Sequence, residues 1–136
     1  MKFSRSTTYG LRALANLVLA GADDNQKVKS LKIIAEEEKI SLKFLEKLFS
    51  RLKKAGIVNS TRGINGGYYL TNKPENITLF KVLEALGESV IVFQCIKEEG
   101  DIKCDNSSKC GAVPVLQKVQ KAITESLKGM TLKDIV

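Results

Sequence analysis

Apolar positions recur at helical spacing from the start of the chain. Leu11, Leu14, Ala15 and Val18 share one face, and GADDNQK then breaks the pattern, which predicts a helix from about Ser6 to Ala20. Ser30 is an N-cap candidate for LKIIAEEEK, whose Leu31, Ile34 and Ala35 form a narrow apolar stripe. After KIS, Ser41 caps a longer segment, LKFLEKLFSRLKKA. Its Leu42, Leu45, Leu48, Phe49 and Leu52 face inward while the basic residues mostly face out, and Gly56 stands where a left-handed C-terminal cap is wanted. Two helices about three residues apart, the second basic on its outer face, predict a helix-turn-helix.

The period then changes. IVNST has the β-branched content of a strand, RGINGG carries Asn65-Gly66 and further glycines, and YYLT suits a returning strand. This predicts a β-hairpin with Arg62 at its tip. Directly after a basic helix it reads as a wing, whose glycines permit close approach of the backbone to a phosphate or groove floor. Thr78 caps LFKVLEALG, and Gly87 ends it. A stretch without periodicity follows, and from about Ala112 the residues Leu116, Val119, Ile123 and Leu127 recur in steps of three and four, with Pro114 in the first turn. That stripe suits pairing with a second subunit or packing on its own domain. TLKD at Thr131 to Asp134 has the form of a capping box.

The expected architecture is mainly α with a small β-hairpin wing: a winged helix-turn-helix over residues 1–87, a loop over 88–111, and a long helix with a short tail over 112–136. A chain of 136 residues suits one domain. It has no run of eighteen apolar residues and no signal-peptide pattern at its start. The expectation is a soluble, uncleaved, cytoplasmic protein without a membrane partner.

Charge narrows the function. Of a formal net charge of +7, residues 39–62 carry +6, from Lys39, Lys43, Lys47, Arg51, Lys53, Lys54 and Arg62 against Glu46 alone. Such concentration is the footprint of a polyanion site, although a charge run also suits a merely solvated helix face.

FQCIKEEGDIKCDNSSKC places Cys95, Cys104 and Cys110 within sixteen residues, in a chain without histidine. Three thiols do not make an even disulfide framework. Thiolates are soft ligands that suit iron in a sulfide cluster. Zinc favours four ligands with closely spaced pairs, whereas the spacings here are eight and five intervening residues. A bare thiol sensor is the third reading. An enzyme with a thiolate nucleophile ranks last, because Cys-His activation is unavailable.

Together, STTYGLRAL, IAEEEKISLKFLEKLFSRLKKAGIV, RGINGGYYL, ITLFKVLEALGE and the terminal TLKDI resemble the Rrf-two-type winged-helix transcriptional regulators over nearly the whole chain. This is the family of the iron-sulfur cluster regulator IscR. The resemblance implies a non-enzymatic homodimer held by the late helix through Leu116, Val119, Ile123 and Leu127, bound to a pseudo-palindromic operator in double-stranded DNA. It also implies an iron-sulfur cluster, commonly of the two-iron type (2Fe-2S), on Cys95, Cys104 and Cys110. The candidate DNA-contacting residues are Lys2, Ser41, Lys43, Glu46, Lys47, Ser50, Arg51, Arg62, Gly63, Asn65, Gly66 and Tyr68. The fourth cluster ligand is open: where cluster-binding members carry a histidine, three residues past the last cysteine, this chain has Val113, and where others carry an N-terminal acid it has Thr8. Candidates are Glu98, Glu99, Asp101 or Asp105, a hydroxyl of Ser6, Thr7 or Thr8 from a partner chain, or water. The alternatives to cluster control are a cluster-free thiol- or metabolite-responsive repressor of the same family and, in another class, an iron-sulfur carrier or electron-transfer protein.

Overall fold

In the computed structural model, residues 2–101 and 110–135 are described. The order is α1 (Arg5–Leu19), α2 (Leu31–Glu38), α3 (Leu42–Lys54), β1 (Val58–Thr61), β2 (Gly67–Leu70), α4 (Leu79–Ala85) and α5 (Val113–Gly129), with short 3-10 turns at Pro74–Asn76 and Leu132–Ile135. This is the mainly helical fold with a hairpin wing that the periodicity predicts.

The apolar stripes of the first three helices converge. Leu14 and Leu17 of α1, Ile34 of α2, and Leu45, Leu48, Phe49 and Leu52 of α3 are fully buried in one core with Leu70 and Val82. Gly10 lets α1 approach the segment after α4, since a Cβ there would lie 2.6 Å from Leu86 Cδ1. The N-terminus of α1 is satisfied from outside the helix. Ser4 makes no side-chain cap bond of its own; instead the Glu88 carboxylate accepts from the Ser4 N–H and hydroxyl, both at 2.8 Å, and from the Thr7 hydroxyl. An anion at a helix N-terminus is favourable there.

The helix-turn-helix joint is built from local rules. Lys39 ends α2 in the left-handed conformation (φ 56°), and the Ile40 N–H reaches back to the Ala35 carbonyl at 3.0 Å. Ser41 Oγ accepts from the Phe44 N–H at 3.4 Å. Gly56 (φ +78°) terminates α3, with the N–H groups of Gly56 and Ile57 bonded to the Lys53 and Leu52 carbonyls. Ser30, by contrast, has extended backbone at the N-cap position of α2 but no side-chain cap bond.

β1 and β2 pair antiparallel in the register Val58↔Leu70 to Thr61↔Gly67. A third arm joins them: the Lys29 N–H donates to the Tyr68 carbonyl at 3.0 Å and the Tyr68 N–H to the Lys29 carbonyl at 2.8 Å. The C-terminal tail returns to this head rather than extending from it. Thr131 bridges Thr78, the Leu132 N–H donates to the Ile77 carbonyl at 2.9 Å, and the Leu132 side chain is fully buried in the main core.

Candidate nucleic-acid interface and cysteine loop

Burying Leu45, Leu48, Phe49 and Leu52 turns the opposite face of α3 outward, so Lys43, Glu46, Lys47 and Ser50 are all exposed. The ion pairs found among the described residues are Arg12–Glu38 and Lys29–Glu37. The side chains on this α3 face are therefore not engaged in salt bridges there. Arg51 differs: its Nη1 donates to the Leu86 carbonyl at 3.1 Å, which fastens α3 to the end of α4 and draws that guanidinium toward the head. Lys2 also stands apart from α3, lining a small cavity with Phe3 and Ser89–Val92.

The wing is fixed to α3 at two points. Lys53 Nζ donates to Ser60 Oγ at 2.8 Å, and the Tyr68 ring meets Phe49 edge to face with centroids 5.0 Å apart. Burial, and secondarily the Glu46 carboxylate, push the Tyr68 hydroxyl above its ordinary pKa. Tyr68 thus sits where the hairpin meets α3, half-buried.

The tip of the hairpin departs from the sequence expectation, which placed Arg62 there. Gly63 takes the positive φ (+104°), and the Gly66 N–H closes the turn onto the Gly63 carbonyl at 3.0 Å. The apex is therefore Ile64 and Asn65, with Arg62 between the end of β1 and the turn, exposed. A Cβ on Gly66 would strike the Thr61 carbonyl, and one on Gly67 would lie 2.5 Å from the Lys29 carbonyl carbon and oxygen. Gly66 and Gly67 are required by the chain's own backbone, whether or not DNA approaches.

Of the three cysteines, Cys95 is half-buried and Cys110 is exposed at the entrance to α5, and among the described residues neither is in a disulfide. Cys104 and Asp105 lie outside the described residues. Among the described residues no group of three or more histidine, cysteine or acidic side chains is placed to hold a metal. The donor chemistry still fits an iron-sulfide cluster: neither described thiol is sequestered in the core, and both are soft ligands on loop or helix-end backbone. Of the fourth-ligand candidates, Thr7 is buried and engaged with Glu88, Thr8, Glu99 and Asp101 are exposed, and Ser6 and Glu98 are half-buried.

The loop carrying Cys95 is fastened to α5 through its backbone. Gln120 is fully buried; its Oε1 accepts from the Val92 N–H at 2.8 Å and its Nε2 donates to the Val90 carbonyl at 2.9 Å. Thr124 Oγ1 donates to the Glu98 carbonyl at 2.6 Å, and Gln117 Nε2 to the Gly100 carbonyl at 2.9 Å. Periodicity marks an apolar stripe on this helix; the polar ladder of Gln117, Gln120 and Thr124 has the same helical spacing, and hydropathy alone does not single it out. The stripe itself divides. Leu127 and Ile123 pack within the chain against Leu83 and Val90, Leu116 is half-buried, and Val119 is exposed beside Val115. An apolar groove of about 380 Å³ runs between Phe3 and Ala122, Ile123, Ser126 and Leu127.

Comparison with known proteins agrees with this geometry. The family model Rrf2, described as iron-dependent transcriptional regulator, matches residues 3–136. Protein rrf2 of Nitratidesulfovibrio vulgaris is 35% identical over 136 residues, covering all of this chain and 87% of that protein. Among solved structures, CymR, the global cysteine regulator of B. subtilis, superposes with a TM-score of 0.78 at 29% identity, covering 99% of this chain and 95% of that one. T. potens IscR superposes with a TM-score of 0.72 at 33% identity, covering 99% and 85%.

Proposed function

The chain belongs to the Rrf2 family of transcriptional regulators, and from that premise we propose that it is a cytoplasmic homodimer whose DNA affinity or site preference is set by an iron-sulfur cluster on Cys95, Cys104 and Cys110. Membership makes it a DNA-binding protein and not an enzyme, and no described helix is long and apolar enough to cross a membrane. The observation that carries the rest is the junction at α5. One side of this helix holds the backbone of the Cys95 loop through Gln117, Gln120 and Thr124, and the other leaves Val115 and Val119 uncovered. With a second copy on that apolar side, a change in the loop shifts α5 and with it the separation of the two α3 helices. It acts only because the two loop states bind DNA unequally.

When bound, the cluster supplies a redox- and supply-sensitive group. The chain's own residues do the remainder. Lys43 and Lys47 neutralise phosphates and release counterions. α3 enters the major groove from its Ser41 end. Arg62 on the wing reaches the adjoining minor groove. Glu46, an acid among these cations, repels phosphate unless it accepts from a base edge such as cytosine N4, so it serves discrimination; Glu46→Ala should lose roughly 1 to 3 kcal/mol of site preference in competition binding against a randomised operator library.

The test is iron and acid-labile sulfide content of protein purified without oxygen. The parent should carry both, and Cys95→Ala, Cys104→Ala and Cys110→Ala should each lose most of them. Full iron in all three variants would overturn the cluster. The likeness to a cysteine regulator and the exposed Cys110 thiol favour a second reading, a cluster-free thiol-responsive repressor. That reading predicts parent protein without iron, with DNA binding altered by thiol oxidation.

A further inference from the structure

Ile64 occupies the apex of the wing with its side chain wholly in solvent, at 104% relative exposure. Of the other exposed large apolar side chains, Phe3, Ile91, Val115 and Val119 lie along or beside α5, while Leu19 and Ile33 lie on α1 and α2 and are less exposed than Ile64. Ile64 stands apart from them, flanked by exposed Arg62 and Asn65. A turn apex in water is ordinarily polar. The position is also held firmly, since the Gly63–Gly66 bond closes the turn and Lys53 and Tyr68 tie the hairpin to α3.

Resting on the DNA-binding reading above, we infer that Ile64 is a second sequence reader: an apolar probe in the minor groove that selects A·T pairs by excluding the 2-amino group of guanine. The chemistry is that of the groove floor. A·T and T·A pairs show acceptors there, and G·C adds one protruding donor, the guanine N2 amino group. A branched hydrocarbon pressed over A·T removes apolar surface from water and covers no donor. Over G·C it separates that amino group from water and offers no acceptor, which leaves a donor unpaired. Arg62, one position outside the turn, adds a cation suited to the stronger negative potential of a narrow A·T-rich groove.

The experiment uses the whole dimer and an operator duplex recovered by selection from a randomised library, titrated by fluorescence anisotropy. At the pairs flanking each major-groove half-site, adenine is replaced by 2,6-diaminopurine, which adds the minor-groove amino group and keeps the major-groove edge. In a second duplex guanine placed there is replaced by inosine, which removes it. Parent protein should bind the diaminopurine duplex at least about fivefold more weakly, the lower bound for an unpaired donor at roughly 1 kcal/mol, and should recover on inosine. Ile64→Ser, which keeps Arg62, should lose most of the difference between these duplexes. A flat response in the parent overturns the inference, and so does an Ile64→Ser protein that keeps the parent's response, which would assign the effect to groove shape or Arg62. Failure of the parent to select any duplex would instead overturn the DNA-binding reading beneath it.

Discussion

Residues 5–87 are held together by apolar side chains from α1, α2, α3, the hairpin and α4, with Leu14, Leu17, Ile34, Leu45, Leu48, Phe49 and Leu52 at zero exposure. Residues 90–100 bury Val90 and Ile96, but their backbone is fastened to α5 by the side chains of Gln117, Gln120 and Thr124, beside a small cluster of Leu83, Val90 and Leu127. The two fastenings behave differently under stress. A close-packed core fixes one arrangement and resists partial change. A loop with two buried apolar anchors, Val90 and Ile96, and a few hydrogen bonds, each contributing about 1 kcal/mol net, can exchange those bonds for others without unfolding its support. The head suits a constant reading surface, and the loop suits a part that changes state.

The sharpest way to break this contrast is to damage each fastening separately. Leu48→Ala should cost about 2 to 5 kcal/mol of global stability, read by denaturant unfolding at fixed protein concentration, because it opens a cavity among fully buried neighbours. A loss under about 1 kcal/mol would mean that the head is not the rigid part. Gln120→Leu keeps the bulk but deprives the Val92 N–H and the Val90 carbonyl of partners, at about 1 to 3 kcal/mol for each group left unsatisfied. That loss should be local. Amide exchange should quicken over residues 90–100 and stay as in the parent on α3; equal acceleration in both regions would erase the distinction.

The smallest effect is a pH dependence at the seam. The Thr7 hydroxyl, followed by the Ser4 N–H, lowers the Glu88 pKa below its ordinary value of 4.5, against a raising effect of burial. A carboxyl with a depressed folded pKa contributes stability that is fully present above the unfolded value and is lost as pH falls through the folded one. Glu88→Gln should therefore melt below the parent at pH 7, and the two curves should converge as pH drops under 4.5. A gap that stays constant or widens in acid would show that Glu88 does not act through its charge.

Where local rules decide the structure, it was legible in the residues. Ser41 caps α3, Gly56 ends it, and the spacing of Leu45, Leu48 and Leu52 gave its inner face and hence the exposed row of Lys43, Glu46 and Lys47. The wing was legible as a hairpin but not in its tip. Asn65-Gly66 signals a tight turn, yet the positive φ falls on Gly63, which moves the apex to Ile64; an isoleucine between glycine and asparagine was the available clue. Tertiary contacts decided the remainder. Nothing local tells that Arg51 caps α4, that Leu132 enters the head core, or that Leu127 packs within the chain beside a polar ladder serving the cysteine loop. An apolar stripe shows which side of a helix is covered by something, without saying whether that is its own chain or another.

Coupling between loop and head is open to one direct titration. Affinity for a single selected operator duplex would be measured with anaerobic protein before and after treatment with an iron chelator, at fixed salt and fixed protein concentration. A change of at least about tenfold, or roughly 1.4 kcal/mol, is expected in the parent, and a much smaller one in Gln120→Leu, whose loop is no longer fastened to α5. Superimposable curves with and without iron, on protein shown to have held the cluster, would contradict the account.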